Sequence, residues 1–376
     1  MAGIYIHIPF CRQACAYCNF HFSTLQQQND EMMECIAREI LLPDDFITDR
    51  EKIESIYFGG GTPSIIKPEV IGHLLEIMYK KFSVAPLAEI TLEANPDDIS
   101  GQTLLQWKKM GINRLSVGIQ SFGEAELKWM NRAHSAAESH SCLDAVNEAG
   151  FENYSADLIY GSPLQSNEQL QKNARILFEK KVPHISCYAL TVEPKTALHH
   201  LISKQKSPDV DTAKQAEQFE LLLKEMKAHG YEQYEISNFS LPGFRSRHNS
   251  SYWQRKPYYG YGPAAHSFNG LNKRRWNVAN NALYMRSLQQ NMIPYEEETL
   301  TAVQQLNEYI MISLRTCEGM EIEKVKNEFG AAYSDVILQK SKKYIDQHKM
   351  ISENGFLLLT DAGKFFADGI AADLFF

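Results

Sequence analysis

The chain has 376 residues, of which 44% are hydrophobic and 22% are charged, and its formal net charge is −8. This length predicts two or three domains, and the acidic balance argues against a general binder of nucleic acid or anionic membranes. Apolar runs stay well short of the roughly 20 residues that span a bilayer. With seven cysteines and no export signal, we expect a cytosolic protein with reduced thiols.

Short apolar strands alternate with amphipathic helices along the first two-thirds of the chain. Six strands are predicted, at Ile4–Ile8, Glu54–Phe58, Glu89–Glu93, Arg114–Ile119, Ala156–Tyr160 and His184–Leu190. Helical segments separate them, the first two at Glu31–Leu42 and Pro68–Lys81. This α/β alternation predicts a parallel sheet, and favours a partial TIM-like (β/α)6 barrel over residues 1–235 rather than a doubly wound sheet. The active site of such a barrel lies in the loops after the strands.

Three cysteines follow the first predicted strand in a CxxxCxxC pattern, at Cys11, Cys15 and Cys18. Thiolates at this spacing select zinc, copper(I) or an iron–sulfur cluster. An odd number of thiols in one short loop cannot pair off as disulfides. A structural zinc site would need a fourth ligand, which His7 or His21 could supply, whereas three ligands alone leave one metal position open for chemistry.

Unusual residues also follow the other predicted strands. They are the Gly59-Gly60-Gly61 run after strand two, Glu93 at the end of strand three, Gln120 after strand four and Asp157 near strand five. Parallel strands place their carboxyl ends at one mouth of a barrel, so we expect these residues to face the cysteines. The glycines fit either a tight turn or a backbone cradle for a small zwitterion. Glu93 and Asp157 also fit the role of helix caps.

The CxxxCxxC loop, with Tyr17 directly before the third cysteine, resembles the cluster loop of the radical S-adenosylmethionine enzymes. In that family three cysteines hold a 4Fe-4S cluster, and the amino and carboxylate groups of S-adenosylmethionine chelate the fourth iron. The resemblance therefore implies that Cys11, Cys15 and Cys18 are metal ligands. The GGGTP stretch resembles the methionine-binding glycines of the same family.

Five segments, YIHIPFC, GGGTP, RLSVGIQSF, NRAH and DLIYGSP, resemble in this order the oxygen-independent coproporphyrinogen III oxidases and cover most of residues 1–165. The resemblance implies that Tyr5, Gly60 and Glu93 contact the cluster-bound S-adenosylmethionine. It further implies that the rest of the cofactor site is lined by Tyr17, Gly61, Thr62, Gln120, Arg132 and Asp157.

Two departures separate the chain from these oxidases. A further cysteine follows their third cysteine by two positions, where this chain has Phe20. They also carry an N-terminal extension, whereas Tyr5 lies almost at the start of this chain. Both features instead resemble the HemW-type haem chaperones, and the segment from His248 to Trp253 matches the HNxxYW pattern of that branch.

The stretch over residues 245–261 carries an imidazole, flat aromatic rings and four basic residues, Arg245, Arg247, Arg255 and Lys256. These groups fit a haem site, with His248 as the iron ligand and the basic residues at the propionates. Cys187, Cys317 or a more distant histidine stay open as iron ligands. The stretch also fits a solvated basic loop or a site for single-stranded nucleic acid, but the acidic chain favours haem over nucleic acid.

The strand–helix alternation stops near residue 300. Helices are predicted at Leu300–Leu314, Glu321–Phe329 and Asp335–His348, followed by a hairpin over Met350–Thr360 around Asn354-Gly355 and a helix over Asp361–Leu374. This order resembles a winged-helix module over residues 300–376, preceded by a connecting segment over residues 236–299. The mixed charges of the module favour packing or partner contact over DNA binding.

These resemblances imply a haem chaperone that binds haem and transfers it to apoproteins, on a barrel that carries a 4Fe-4S cluster and S-adenosylmethionine. The alternative is radical decarboxylation of the propionates of coproporphyrinogen III, and a third hypothesis is radical chemistry on an unrelated substrate. The sequence assigns no catalytic residue. It leaves open whether the protein is an enzyme, whether it forms a homodimer and whether it touches a membrane surface.

Overall fold

The structure is a computed structural model that describes residues 2–47 and 52–376. Its centre is a sheet whose first six strands are β1 Ala2–Ile8, β2 Ile53–Gly60, β3 Val84–Ala94, β4 Arg114–Gln120, β5 Tyr154–Tyr160 and β6 His184–Ala189. Each of these strands pairs in parallel with the next one along the chain. The predicted partial (β/α)6 barrel is therefore confirmed, and the carboxyl ends of the six strands meet at one mouth.

Six helices between the strands make the crossovers that parallel pairing requires. They are α1 Asn29–Leu41, α2 Pro68–Lys81, α3 Gly101–Met110, α4 Glu124–Trp129, α5 Ala136–Glu148 and α6 Asn167–Glu179, whereas α7 Ala197–Ser203 and α8 Thr212–Ala228 follow β6. Short 3-10 helices at Gln26–Gln28, Pro63–Ile65 and Pro96–Asp98 lie in the loops after β1, β2 and β3. Ile4, Ile6 and Ile8 of β1 are fully buried in the apolar core. The alternate residues Tyr5 and His7 point the other way, into the barrel.

Residues 236–299, predicted as a connecting segment, extend the same sheet at both of its sides. After β7 Glu232–Glu235, the elements of the segment are β8 Asn238–Ser240, α9 Arg247–Trp253, β9 Tyr258–Tyr261, β10 His266–Phe268, β11 Lys273–Asn277, α10 Asn281–Gln289 and β12 Tyr295–Thr299. β8 runs antiparallel to β6, with β7 outside it. β9 runs parallel to β1 and is followed outward by β10, β11 and β12. The segment therefore contributes to the barrel wall on both sides.

A buried carboxylate ties the first helix to this added part of the sheet. Glu39 of α1 is 3% exposed and accepts hydrogen bonds from Gly262 N at 2.8 Å, Asn277 Nδ2 at 2.6 Å and Tyr284 Oη at 2.5 Å. Burial raises the pKa of Glu39 to about 7, although these three donors oppose the shift. The carboxyl group is thus a structural tie whose charge depends on pH near neutrality.

The C-terminal module has an apolar core of its own, which includes Leu306, Ile337 and Leu357. Its elements are α11 Ala302–Leu314, β13 Met320–Glu321, α12 Ile322–Glu328, α13 Ala331–Asp346, β14 Met350–Glu353, β15 Phe356–Leu359, α14 Asp361–Lys364 and α15 Ala367–Leu374. The predicted hairpin is confirmed, and Asn354 and Gly355 both have positive φ, at 51° and 85°. The single helix predicted at the end is instead divided into α14 and α15. Across the two described ranges, no helix is long and apolar enough to cross a membrane.

Replacing Glu39 with glutamine is expected to remove a pH dependence of the stability. Because burial raises the pKa of Glu39 from 4.5 to about 7, the folded state keeps a proton that the unfolded chain releases between these values. A contribution on the order of 3 kcal/mol is therefore present below the unfolded pKa and lost as the pH rises through the folded one.

Urea denaturation from about pH 5 to about pH 8 measures this effect. The free energy of unfolding should fall more steeply with rising pH for the wild type than for Glu39→Gln. Glu34→Gln, at an exposed position of the same helix, is the matched control and should follow the wild type. Equal slopes for wild type and Glu39→Gln would show that Glu39 does not titrate in this range.

Candidate functional site

A cavity of about 650 Å³ opens at the mouth of the barrel, where the six parallel strands end. It is lined by all but two of the residues that the sequence assigns to the metal and cofactor sites: Cys11, Cys15, Tyr17, Cys18, Gly60, Gly61, Thr62, Glu93, Gln120, Arg132 and Asp157. The two exceptions are Tyr5 and His248. Side chains of the C-terminal module form the far wall of this mouth cavity.

The cysteine loop is held over the cavity by two other parts of the chain. At its start, the amide of Cys11 donates to the carbonyl of Ser23 at 3.0 Å. Further along, the side-chain oxygen of Asn131 accepts from Gln13 Nε2 at 2.8 Å, and its Nδ2 donates to the carbonyl of Ala14 at 2.7 Å. Asn131 has a φ of 55°, a left-handed conformation that asparagine tolerates well. The sequence marked the NRAH segment by resemblance but missed this anchoring role of Asn131.

The three thiols of the loop are free and line the cavity. Burial raises the pKa of Cys11 to about 11 and also raises the pKa of Cys18. Nη1 of Arg132 donates to Sγ of Cys15 at 3.4 Å. Cysteine is deprotonated when it binds a metal, so a cationic metal centre would offset the cost of burying thiolates here. Three soft donors in one loop fit an iron–sulfur cluster and not a hard cation.

The glycine run leaves no room for side chains. A Cβ on Gly61 would lie 2.5 Å from the carbonyl oxygen of Phe10, and a Cβ on Gly60 would lie 2.7 Å from the ring of His7. Gly60 also has a φ of 111°, which favours glycine. The amide of Thr62 donates to the same Phe10 carbonyl at 2.7 Å, which fixes the turn against the cysteine loop. Bare backbone therefore faces the cavity, as the close approach of a small zwitterion requires.

Two partly buried carboxylates face the cavity from strands β3 and β5. Glu93 accepts hydrogen bonds from Tyr57 Oη at 2.7 Å and Gly60 N at 3.2 Å, and burial raises its pKa to about 7. Asp157 accepts from Ser116 Oγ at 3.4 Å, and burial raises its pKa to about 6. Both residues lie within strands and line the cavity, so they do not act as helix caps. A cationic group of a ligand would favour the ionised form of each.

Arg132 links the cysteines to the neighbouring strand ends. Its Nη2 donates to Asn95 Oδ1 and to the carbonyl of Gly118, both at 2.8 Å. Nε of Arg132, Oε1 of Gln120 and Oδ1 of Asp157 are buried without a hydrogen-bond partner among the described residues. Buried polar atoms normally have such partners, so these three fit contacts to a polar ligand. The groups around the cavity thus fit S-adenosylmethionine, with its charged amino acid end and polar sugar.

Tyr5 lies behind the cavity wall and does not line it. Its hydroxyl group is 3.1 Å from Nδ1 of His7, and its ring stacks on Tyr57 with 6.1 Å between centroids. Because Tyr57 donates to Glu93, Tyr5 supports the carboxylate from behind. The sequence analysis missed Tyr57. For Tyr57 a signal existed, because strand alternation places it on the same inward face as Gly59.

The HNxxYW segment forms helix α9, and its His248 lies at the opposite end of the barrel from the cysteines. His248 is 2% exposed, with Nδ1 2.8 Å from Ser55 Oγ and Nε2 2.8 Å from Tyr252 Oη. Ser55 and Gly3, where an added Cβ would lie 3.3 Å from this ring, lie near the starts of β2 and β1. Both ring nitrogens are engaged, so the structure does not offer His248 to a haem iron. A bond from His248 to a haem iron, which the sequence predicts, would require α9 to leave this position.

Glu89 of β3 holds the start of α9 in this place. Its carboxylate accepts from the amides of Arg247 at 3.1 Å and His248 at 3.0 Å. Nε of Arg114 lies 4.0 Å away, and both side chains are almost fully buried. A carboxylate at a helix N-terminus satisfies amides that have no partner within the helix. Helix α9 therefore closes the lower end of the barrel.

The basic residues of the same stretch, predicted to meet propionates, contact other parts of the protein. The pairs are Arg245 with Glu318 at 2.8 Å, Arg255 with Glu308 at 3.7 Å, Lys256 with Glu54 at 3.7 Å, and Arg247 Nη1 with the carbonyl of Leu87 at 2.8 Å. None of these four basic residues is among those that line the mouth cavity. The stretch is thus a partly solvated basic surface above buried aromatic rings.

Comparison with known families agrees with this geometry. Residues 5–177 match the model of the Radical SAM superfamily, and residues 300–366 match that of the HemN C-terminal domain. The parallel barrel, the three-cysteine loop and this match define a radical S-adenosylmethionine protein. The predicted 4Fe-4S cluster and S-adenosylmethionine are the cofactors of that superfamily, and the residues around the mouth cavity fit them.

Two curated proteins cover almost the whole chain. Heme chaperone HemW of Bacillus subtilis (strain 168) is 31% identical, over 97% of this chain and 96% of its own length. Heme chaperone HemW of Escherichia coli (strain K12) is 29% identical, over 98% and 96%. The chain therefore belongs to the HemW family. Coproporphyrinogen III oxidase (HemN) from Escherichia coli, a radical SAM enzyme, shares the fold with a TM-score of 0.83 at 18% identity, over 99% of this chain and 90% of its own.

Replacing any one of Cys11, Cys15 and Cys18 with serine is expected to remove the cluster, because these are the thiols that line the cavity. Anaerobically reconstituted variants should lose most of their iron and sulfide content and their visible charge-transfer absorbance. Cys317→Ser, which changes an exposed cysteine away from the cavity, is the control and should keep the wild-type content. A variant of the loop that retained a full cluster would contradict the assignment.

Proposed function

We propose that this protein binds haem and transfers it to apoproteins, on a radical S-adenosylmethionine barrel. The observation that carries the proposal is the similarity to proteins named heme chaperone HemW, which extends over nearly the full length of both chains. The mouth cavity has a volume typical of small-molecule sites, and its lining extends beyond the predicted cofactor residues to the C-terminal module. Only part of its lining consists of the cofactor residues.

In this proposal Cys11, Cys15 and Cys18 hold the cluster. Glu93 and the backbone of the glycine turn hold the amino acid end of S-adenosylmethionine, and Arg132, Gln120 and Asp157 contact the rest through their unpartnered atoms. When bound, the two cofactors supply one-electron chemistry at the mouth. We place the protein in the cytosol, where its free thiols stay reduced.

The second candidate function is radical decarboxylation of the propionates of coproporphyrinogen III. It is favoured by the cofactor residues that the resemblance to the oxidases predicts, of which all but Tyr5 line the cavity. Against it, Phe20 stands where the resemblance to the oxidases would require a fourth cysteine. An anaerobic assay with coproporphyrinogen III, S-adenosylmethionine and a reductant distinguishes the two, and we expect no protoporphyrinogen to form.

Haem transfer tests the first function directly. Protein loaded with haem under anaerobic conditions and mixed with an excess of an apo-haem protein should lose its Soret band while the holo-form of the acceptor appears. A passive carrier of similar haem affinity, such as serum albumin, is the control for release into solution. If the wild type binds no haem, or releases it no faster than the carrier does, the proposed function fails.

Replacing His248 with alanine is expected to affect folding more than haem binding. The change removes one buried and one partly buried hydrogen bond and leaves the Ser55 and Tyr252 hydroxyl groups without their partner, which costs about 1–3 kcal/mol for each group. The melting temperature should fall by several degrees.

The haem affinity of folded His248→Ala should stay within about twofold of the wild type, since the imidazole faces the core and not the cavity. Asn249→Ala, in the next position of the same helix, is the matched control. Loss of haem binding in His248→Ala, at a temperature where the variant is fully folded, would show that His248 binds the haem iron.

A further inference from the structure

The half of the mouth cavity that lies away from the cysteines has an aromatic wall. Tyr160 at the end of β5, Phe219 of α8 and Phe365 between α14 and α15 form a row, with ring centroids 6.3 Å and 5.9 Å apart. All three residues line the cavity. Tyr160 and Phe219 are only 5% and 3% exposed and Phe365 is partly buried, so a flat apolar ligand would contact the row chiefly at Phe365. We call the three residues the aromatic row.

Two cations of the C-terminal module stand beside the aromatic row. Arg315 follows the last residue of α11, and Lys364 ends α14, and both line the cavity. Their side chains are only 21% and 22% exposed. Partly buried cations need anionic partners, because burial without one is costly. A flat ligand on the aromatic row would therefore meet positive charge at its edge.

The carboxylates that now pair with these cations are exposed and replaceable. Arg315 pairs with Asp368, whose side chain is 70% exposed, and Lys364 pairs with Asp361, which is 62% exposed. Asp368 itself lines the cavity. Such solvent-exposed pairs contribute only about 0–1 kcal/mol each. Another carboxylate can thus take the place of Asp368 at little cost.

Arg315 is held in position independently of Asp368. Its guanidinium lies over the ring of Trp253 of α9, 5.6 Å from the centroid, and its carbonyl accepts from the amide of Ile236 at 3.0 Å. A planar guanidinium in a fixed position binds a carboxylate with two parallel hydrogen bonds. Helix α9 therefore helps to position Arg315 at the far wall of the mouth cavity, because the guanidinium rests on Trp253.

We propose that the aromatic row, Arg315 and Lys364 form the haem site, with the propionates on the two cations and Asp368 as an internal carboxylate that the ligand displaces. This inference rests on the proposed function and adds the place and charge pattern of its ligand. It replaces the basic stretch around His248 as the anion site.

Removing the carboxylate and removing either cation should have opposite effects on the affinity for haem. Asp368→Asn removes the competing carboxylate and should tighten haem binding about 2- to 5-fold, the range of a solvent-exposed pair. Arg315→Gln should weaken haem binding about 10-fold or more, and Lys364→Gln by a smaller factor, because each loses a charged hydrogen bond. Since Arg315→Gln also loses the contact with Trp253, Asp368→Asn and Lys364→Gln provide the test that does not depend on that packing.

The measurement is a Soret titration of the full chain with haem and with haem dimethyl ester, whose propionates carry no charge. The differences between variants should appear with haem and vanish with the ester. Lys343→Gln and Asp373→Asn change an ion pair of the same module at 2.8 Å, outside the cavity, and should match the wild type.

If the wild type binds haem and Asp368→Asn and Lys364→Gln bind it equally well, the inference fails and the proposed function stands. Equal effects of these variants on haem and on the ester would also overturn the inference, since the propionates would not be the groups recognised. If the wild type binds no haem at all, both the inference and the proposed function fail.

Discussion

The buried carboxylate of Glu89 is the constraint on which the division of this barrel into two ends depends. It is paired with the buried Arg114 and accepts the first amides of helix α9. Without this acceptor the amides would be buried with no hydrogen-bond partner, which would lower the stability of the folded state. With it, the helix fills the lower end and His248 joins the core. Polar and reactive groups are then left to gather at the mouth.

The walls of the mouth cavity differ in the residues that form them. The cysteine loop and the glycine turn lie on the side of β1 and β2, where bare backbone faces the cavity and the thiols are partly buried. The far side combines aromatic rings with two cations from the C-terminal module. Residues of β3 to β5 stand between the two walls, and burial raises the pKa of Glu93 and of Asp157 there. The C-terminal module therefore contributes side chains to the lining of the mouth cavity.

Features encoded locally could be predicted from the sequence. The six strands, the cysteine loop and the Asn354-Gly355 hairpin each have a short signal in neighbouring residues, and all are present. The boundaries differ by a few residues, as for β3, which begins at Val84 and not at Glu89. Strand order then followed from the alternation of strand and helix, and with it the mouth on which the site residues converge.

The place of His248 could not be predicted in this way. Its partners Ser55 and Glu89 are separated from it by 193 and 159 residues. Locally, a histidine among arginines and aromatic rings has the composition of a haem site, and burial depends on contacts that no local pattern contains. Arg315 and Asp368 were missed for the same reason. They reach the cavity only because the module packs against β7, where the amide of Cys317 donates to the carbonyl of Tyr234.

An experimental structure of the haem-loaded, anaerobically reconstituted protein tests the central claim most directly. The account predicts haem in the mouth cavity, with its ring against Tyr160, Phe219 and Phe365, its propionates at Arg315 and Lys364, and helix α9 unchanged at the lower end. Haem bound to His248, with α9 displaced from the barrel, would contradict the account. So would haem on the outer surface with the mouth cavity empty beside an intact cluster.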